Sequence, residues 1–246
     1  DKQAYIGESA NALRRIKSHL GNPKRQRLKK ISIIGSDKFN KSATLEIESK
    51  LIEHLQGEET YELQNRHDGL INHNYYQQDL YKNLFKEVWN KLIERKIVTK
   101  SLTEIQNSVL FKYSPYKALS TDQYDSVLEI LGSLTRNNET ERIFVSGSAG
   151  TGKTILAIYL IKLLTSDIND LQSDDKNEDE LEEIRFVRDF QTKYPNAKIG
   201  LVVAMTSLRE SLENVFRKTP GLKASMVINP SDTFKSSQYD LLIVDE

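Results

Sequence analysis

Apolar residues fall into two patterns along this chain. Short apolar runs with turn residues at their borders occur at "QAYIG" (3–7), "ISIIG" (31–35), "RIFVSG" (142–147), "KIGLVVAM" (198–205), "SMVIN" (225–229) and "YDLLIVDE" (239–246), and their length predicts strands. Elsewhere the apolar positions recur every three or four residues. Leu80, Leu84, Phe85, Val88, Trp89, Leu92 and Ile93 form one such stripe, which predicts an amphipathic helix over 78–96. Residues 153–165 and 206–217 read the same way, and "SATLEIESKLIEHL" (42–55) reads as a further helix. Strands alternating with helices in the second half predict an α/β fold with a parallel sheet and crossover helices.

The length of 246 residues leaves room for two domains, each with its own core. Proline and polar residues in "KYSPYKAL" (112–119) place a seam between them. The acid-dominated run at 166–185 reads as a solvated surface excursion. With 35 basic and 35 acidic residues the net charge is zero, so bulk charge points to neither a nucleic acid nor a membrane, and local charge must decide. The absence of cysteine excludes disulfides and cysteine-ligated zinc. No stretch reaches eighteen apolar residues and no signal-peptide layout opens the chain, so the expectation is a soluble cytoplasmic protein without a membrane partner. The sequence also reads as cut at both ends.

The first chemical signal is "GSAGTGKT", Gly147, Ser148, Ala149, Gly150, Thr151, Gly152, Lys153 and Thr154, which fits the phosphate-loop pattern between an expected strand and an expected helix. Glycines allow positive φ and a close backbone approach, so successive N–H groups can face an anion. The helix N-terminus adds a partial positive charge, Lys153 can reach the β and γ phosphates, and the Thr154 hydroxyl can ligand Mg²⁺. "YDLLIVDE" supplies the companion acids: Asp245 as a magnesium partner and Glu246 to polarise the attacking water. ATP and Mg²⁺ are the cofactors this implies.

These motifs resemble the first RecA-like domain of superfamily 1 helicases and related P-loop ATPases over residues 119–246. By that resemblance, Gln123 in "LSTDQYDSVLEIL" contacts adenine, and Thr206 or Ser207 in "GLVVAMTSLRESLENVF" touches a nucleic-acid backbone.

The second signal is basic. Between Arg14 and Lys30 the chain carries Arg14, Arg15, Lys17, Lys24, Arg25, Arg27, Lys29 and Lys30 with no acid, which suits a phosphate-rich partner, although a solvated surface helix and loop would look alike. Arg15 and His19 lie one helical turn apart and share a face. The order Tyr5-Ile6-Gly7, Arg15, His19, Glu48 and Asn65 resembles the GIY-YIG nuclease fold over residues 1–75, with the first half of the name motif expected before residue 1. The resemblance implies Mg²⁺ on Glu48, a phosphate clamp at Arg15, and Tyr5 or His19 orienting or deprotonating water. Glu46 is the rival for the metal role, and His54, His67 and His73 show no metal-like spacing.

The expectation is therefore a small mixed α/β nuclease-like module (1–75), a helical connector (76–118) and an incomplete RecA-like P-loop domain with a parallel sheet (119–246). An ATP-dependent endonuclease acting on DNA rather than RNA, in DNA processing or defence against foreign DNA, is what the two resemblances imply. The alternative is a nucleotide-gated ATPase switch with a non-catalytic DNA-docking N-terminal domain.

Overall fold

The structure, a computed structural model, describes residues 2–21, 23–25, 27–64, 78–117, 119–136, 142–168, 182–234 and 239–245. It is mixed α/β, and the chain divides into two compact units: 2–64 with 78–112, and 113–245. No helix among the described residues is long and apolar enough to cross a membrane.

In the first unit, β1 (Lys2–Ala4) pairs in parallel with β2 (Tyr61–Leu63), Lys2 opposite Tyr61 and Ala4 opposite Leu63. Between them run α1 (Ala12–Leu20), a 3₁₀ turn (Pro23–Arg25) and α2 (Lys41–Glu58). Two asparagines start the helices. The Asn11 side chain accepts from Arg14 N at 3.0 Å and the Asn40 side chain from Ala43 N at 2.9 Å, each satisfying an N-terminal donor that the helix itself leaves unpaired. α2 stops at Glu59, whose φ of 65° is left-handed.

α3 (Gln78–Glu94), α4 (Leu102–Asn107) and α5 (Val109–Lys112) complete this unit's core, so the helix read as a connector packs inside the first unit. Its apolar stripe buries Leu84, Phe85, Val88, Trp89 and Leu92. His54 stands among rings, 4.9 Å from Phe85 and 4.7 Å from Phe111 between centroids, and its Nδ1 lies 2.8 Å from the Lys50 carbonyl, the setting of a core histidine. Glu58, 2% exposed, accepts from Thr99 N (2.6 Å), Thr99 Oγ1 (2.7 Å) and Lys100 N (3.0 Å). A buried carboxylate is tolerated where donors surround it, and here it ties the 96–100 turn to the end of α2.

The second unit holds α6 (Thr121–Arg136), α7 (Lys153–Leu164), α8 (Glu182–Lys193), β3 (Ile199–Val203), α9 (Thr206–Lys218), β4 (Val227–Ile228) and β5 (Leu241–Asp245). Its sheet is parallel in the order β4-β3-β5, with Leu201 opposite Val227 and Val203 opposite Asp245. β3 is buried throughout, which explains its unbroken apolar run. Helix α7 is buried from Leu156 to Leu164 and apolar there but for Lys162, whose Nζ donates to the Pro220 carbonyl at 2.9 Å, as expected of a helix enclosed by its neighbours. Each of its buried leucine and isoleucine side chains contributes roughly 1.5–3 kcal/mol by burial.

Two expected strands are absent. The runs 31–35 and 142–147 have no ladder partner among the described residues, and Phe144 is 90% exposed. Apolar, β-branched sequence makes a segment suited to a sheet, but a strand exists only where a neighbour accepts its hydrogen bonds.

Candidate functional site

The glycine loop in the second unit is built from backbone. Gly150 and Gly152 have φ of 79° and 84°. At Gly152, the N-cap of α7, the left-handed φ favours glycine, and a Cβ there would lie 2.7 Å from Gln123 Nε2 and displace that amide. Ser148 and Thr151 close the turn: the Ser148 carbonyl accepts from Thr151 Oγ1 at 2.9 Å and from Thr151 N at 3.4 Å, with Ala149 exposed at the tip. Lys153 Nζ donates to the carbonyls of Gly147 (2.7 Å) and Ser148 (3.1 Å), so the ammonium spans the loop it belongs to.

Thr154 Oγ1 donates to Asp245 Oδ2 at 2.9 Å across 91 residues of sequence. The first turn of α7 and the C-terminal end of β5 thus converge. Ligands of open α/β sheets bind at this end of the strands. Thr206 and Ser207 begin α9 just beyond β3, whose last residue Val203 is opposite Asp245, so they leave the same end of the sheet and are exposed. Arg209 holds that turn, donating to the Val203 carbonyl at 3.1 Å and to Thr206 Oγ1 at 3.3 Å.

Gln123 braces the loop from α6: its Oε1 accepts from Ser120 N at 2.9 Å and its Nε2 donates to the Thr151 carbonyl at 2.8 Å. In this arrangement the amide reads protein backbone. Next along α6, burial and then Glu183 raise the Tyr124 phenol well above its ordinary pKa, keeping it a neutral donor. Glu246 lies outside the described residues.

In the first unit, three side chains of the basic stretch gather at Tyr5, just past the end of β1. Arg15 Nη2 donates to the Tyr5 hydroxyl at 3.3 Å, and the His19 ring stands edge-on to Tyr5 with centroids 4.9 Å apart. The i,i+4 spacing on α1 is what turns Arg15 and His19 to the same side. Arg25 closes the group: its guanidinium lies 3.8 Å above the Tyr5 ring centroid and its Nη1 is 2.9 Å from His19 Nε2. Gly7 is needed because the tyrosine ring folds over it, leaving 2.9 Å between a would-be Cβ and Tyr5 Cε1.

Glu48 meets the chain three residues past Tyr5, where its Oε1 accepts from Glu8 N at 3.2 Å. Glu46, the rival, pairs instead with Lys50 one turn on. The Glu8 carboxylate takes Lys41 and the Thr44 hydroxyl, the latter at 3.1 Å. No group of three or more Asp, Glu or His residues suited to a metal is assembled among the described residues. Asn65, His67 and His73 lie outside the described residues.

Sequence reasoning counted Arg25 only as one of a run of charges. Its one local signal is Pro23, which favours the tight turn that brings Arg25 back toward β1. The chain matches no protein-family model, no curated protein and no solved structure.

Proposed function

We propose that this protein is an ATP-dependent nucleic-acid-processing enzyme, in which a helicase-like P-loop ATPase is joined to a metal-dependent endonuclease module of GIY-YIG type acting on DNA. The observation that carries the reading is the Thr154–Asp245 contact of 2.9 Å, which sets a hydroxyl and a carboxylate side by side at the mouth of a glycine-rich anion loop.

Both groups are hard oxygen donors, and magnesium commonly takes only one or two protein ligands beside substrate phosphates and water. Thr154 and Asp245 would hold Mg²⁺ at the loop, and Glu48 would hold it in the first unit. The ion supplies neutralisation of the charge that develops on the phosphoryl oxygens. The loop's N–H groups and the N-terminus of α7 bind and orient the phosphates. Lys153 leaves the carbonyls of Gly147 and Ser148 for the β and γ phosphates, exchanging two neutral acceptors for charged ones. In the first unit Arg15 clamps the scissile phosphate, and Tyr5 or His19 orients or deprotonates the water.

The test uses the full chain with Mg²⁺. ATP hydrolysis stimulated by single-stranded DNA, and cleavage of labelled plasmid that disappears in Glu48→Ala and on chelation, are the expected results. ATP turnover persisting at the parental rate in Lys153→Ala would sink the ATPase assignment, and absence of cleavage with or without ATP would sink the nuclease.

A further inference from the structure

We propose that Arg25 is a positioning residue that holds His19 as a neutral imidazole with its single proton on Nδ1. Its catalytic meaning rests on the endonuclease reading above; its geometry does not.

The argument begins with the donor inventory. A guanidinium has five N–H donors and no acceptor, and it stays protonated in proteins. Arg25 Nη1 stands 2.9 Å from His19 Nε2, so the nitrogen of the imidazole is the acceptor in that bond. A neutral imidazole has one proton, which must then sit on Nδ1, and an imidazolium, with both nitrogens protonated, cannot make the bond at all.

The bond is held by its surroundings. Arg25 is 8% exposed, and its guanidinium is fixed over the Tyr5 ring at 3.8 Å. Tyr5 in turn meets the imidazole edge-on and accepts from Arg15. Among the described residues, Tyr5 and Arg25 meet the ring directly, and Arg15 reaches it through the Tyr5 hydroxyl. An imidazolium would add a third positive charge to two guanidinium groups already present. Tyr5 and Arg25 therefore fix the ring's orientation, its tautomer and its charge together. With Nε2 held by Arg25 and the proton on Nδ1, the cluster delivers His19 as a neutral N–H donor that orients the water or phosphate, and removal of the proton falls to Tyr5.

The experiment reads the ring nitrogens of His19 directly, by ¹⁵N NMR of the full chain at neutral pH, with the His19→Gln spectrum identifying its signals among the four histidines. The expected result is the Nδ1–H neutral form in the parent. Arg25→Met keeps a long side chain on Tyr5 but removes the donor, so His19 leaves that form; Arg25→Lys restores a donor and retains it. An Nε2–H tautomer or an imidazolium in the parent, which needs no variant to fold, would overturn the proposal, as would an unchanged tautomer in Arg25→Met. In the cleavage assay Arg25→Met lowers kcat about fivefold, the effect of losing one oriented hydrogen bond, with KM little changed and recovery in Arg25→Lys. An unchanged kcat overturns the positioning role. A parent that shows the Nδ1–H form but cuts no DNA overturns the endonuclease reading alone.

Discussion

The two candidate sites are made in opposite ways. The glycine loop is a backbone device: eight consecutive residues set the positive φ angles, the helix start and the lysine, and tertiary structure adds chiefly the Asp245 carboxylate. The Tyr5 cluster is a side-chain device, in which a phenol, an imidazole and two guanidinium groups drawn from a strand end, a helix and a 3₁₀ turn are packed against one another. A backbone device leaves a regular expression in the sequence. A side-chain device leaves only residue types in order, and any member that arrives by a turn is hard to see.

Substitutions sharpen this contrast, beginning with the largest expected effect. Lys153→Ala should reduce ATP turnover by 10²–10³-fold or more, as removal of a preorganised charge stabiliser does, while thermal unfolding of the protein stays near the parental temperature. Loss of cleavage together with loss of ATPase in that variant would show that the two devices are coupled. Glu48→Ala should abolish metal-dependent cleavage and leave ATP hydrolysis unaltered; residual cleavage above a tenth of the parental rate would move the metal role away from Glu48.

The two glycines test the distinction itself. Gly152→Ala places a Cβ at a φ of 84° and should cost about 1–3 kcal/mol of local strain, read as weakened nucleotide binding in calorimetry. Gly7→Ala has no such φ problem but pushes on the Tyr5 ring, so it should lower cleavage and leave nucleotide affinity alone. Equal effects of both on nucleotide affinity would break the comparison. The smallest change is expected from Gln123→Ala, which removes one brace to the Thr151 carbonyl and should weaken nucleotide binding about fivefold, the value of a hydrogen bond near 1 kcal/mol. A loss above a hundredfold would instead point to direct contact of Gln123 with the base.

Much of the second unit was legible. β3 and helices α7 and α9 follow from unbroken or periodic apolar runs, because burial on both faces or on one stripe writes itself into composition at fixed intervals, and β5 keeps an unbroken apolar run although Leu242 and Val244 are exposed. The run at 142–147 carries Ile143, Phe144 and Val145, side chains as suited to a sheet as those of β3, and forms no strand, since composition records suitability for a ladder and says nothing of whether a partner is in reach. In the first unit the stripe on α3 was visible, but its destination against α2 was not, because an amphipathic helix announces that it packs without announcing on what. Glu58 illustrates the same limit for polar groups: its acceptors are matched by donors from Thr99 and Lys100, about forty residues away, and no local pattern foretells that meeting.

By itself the sequence determined the glycine loop, its helix and the acidic strand end, because the required conformations belong to particular residue types: glycine for positive φ, lysine and threonine for the groups that follow. It also determined that Arg15 and His19 share a face, through the helical repeat. Only the tertiary structure decided that Thr154 meets Asp245, that Glu48 rather than Glu46 reaches the chain beside Tyr5, and that Arg25 is stacked on Tyr5 and bonded to His19. Those are contacts between side chains whose separation in space is set by packing of whole elements, and packing depends on every face of the core at once.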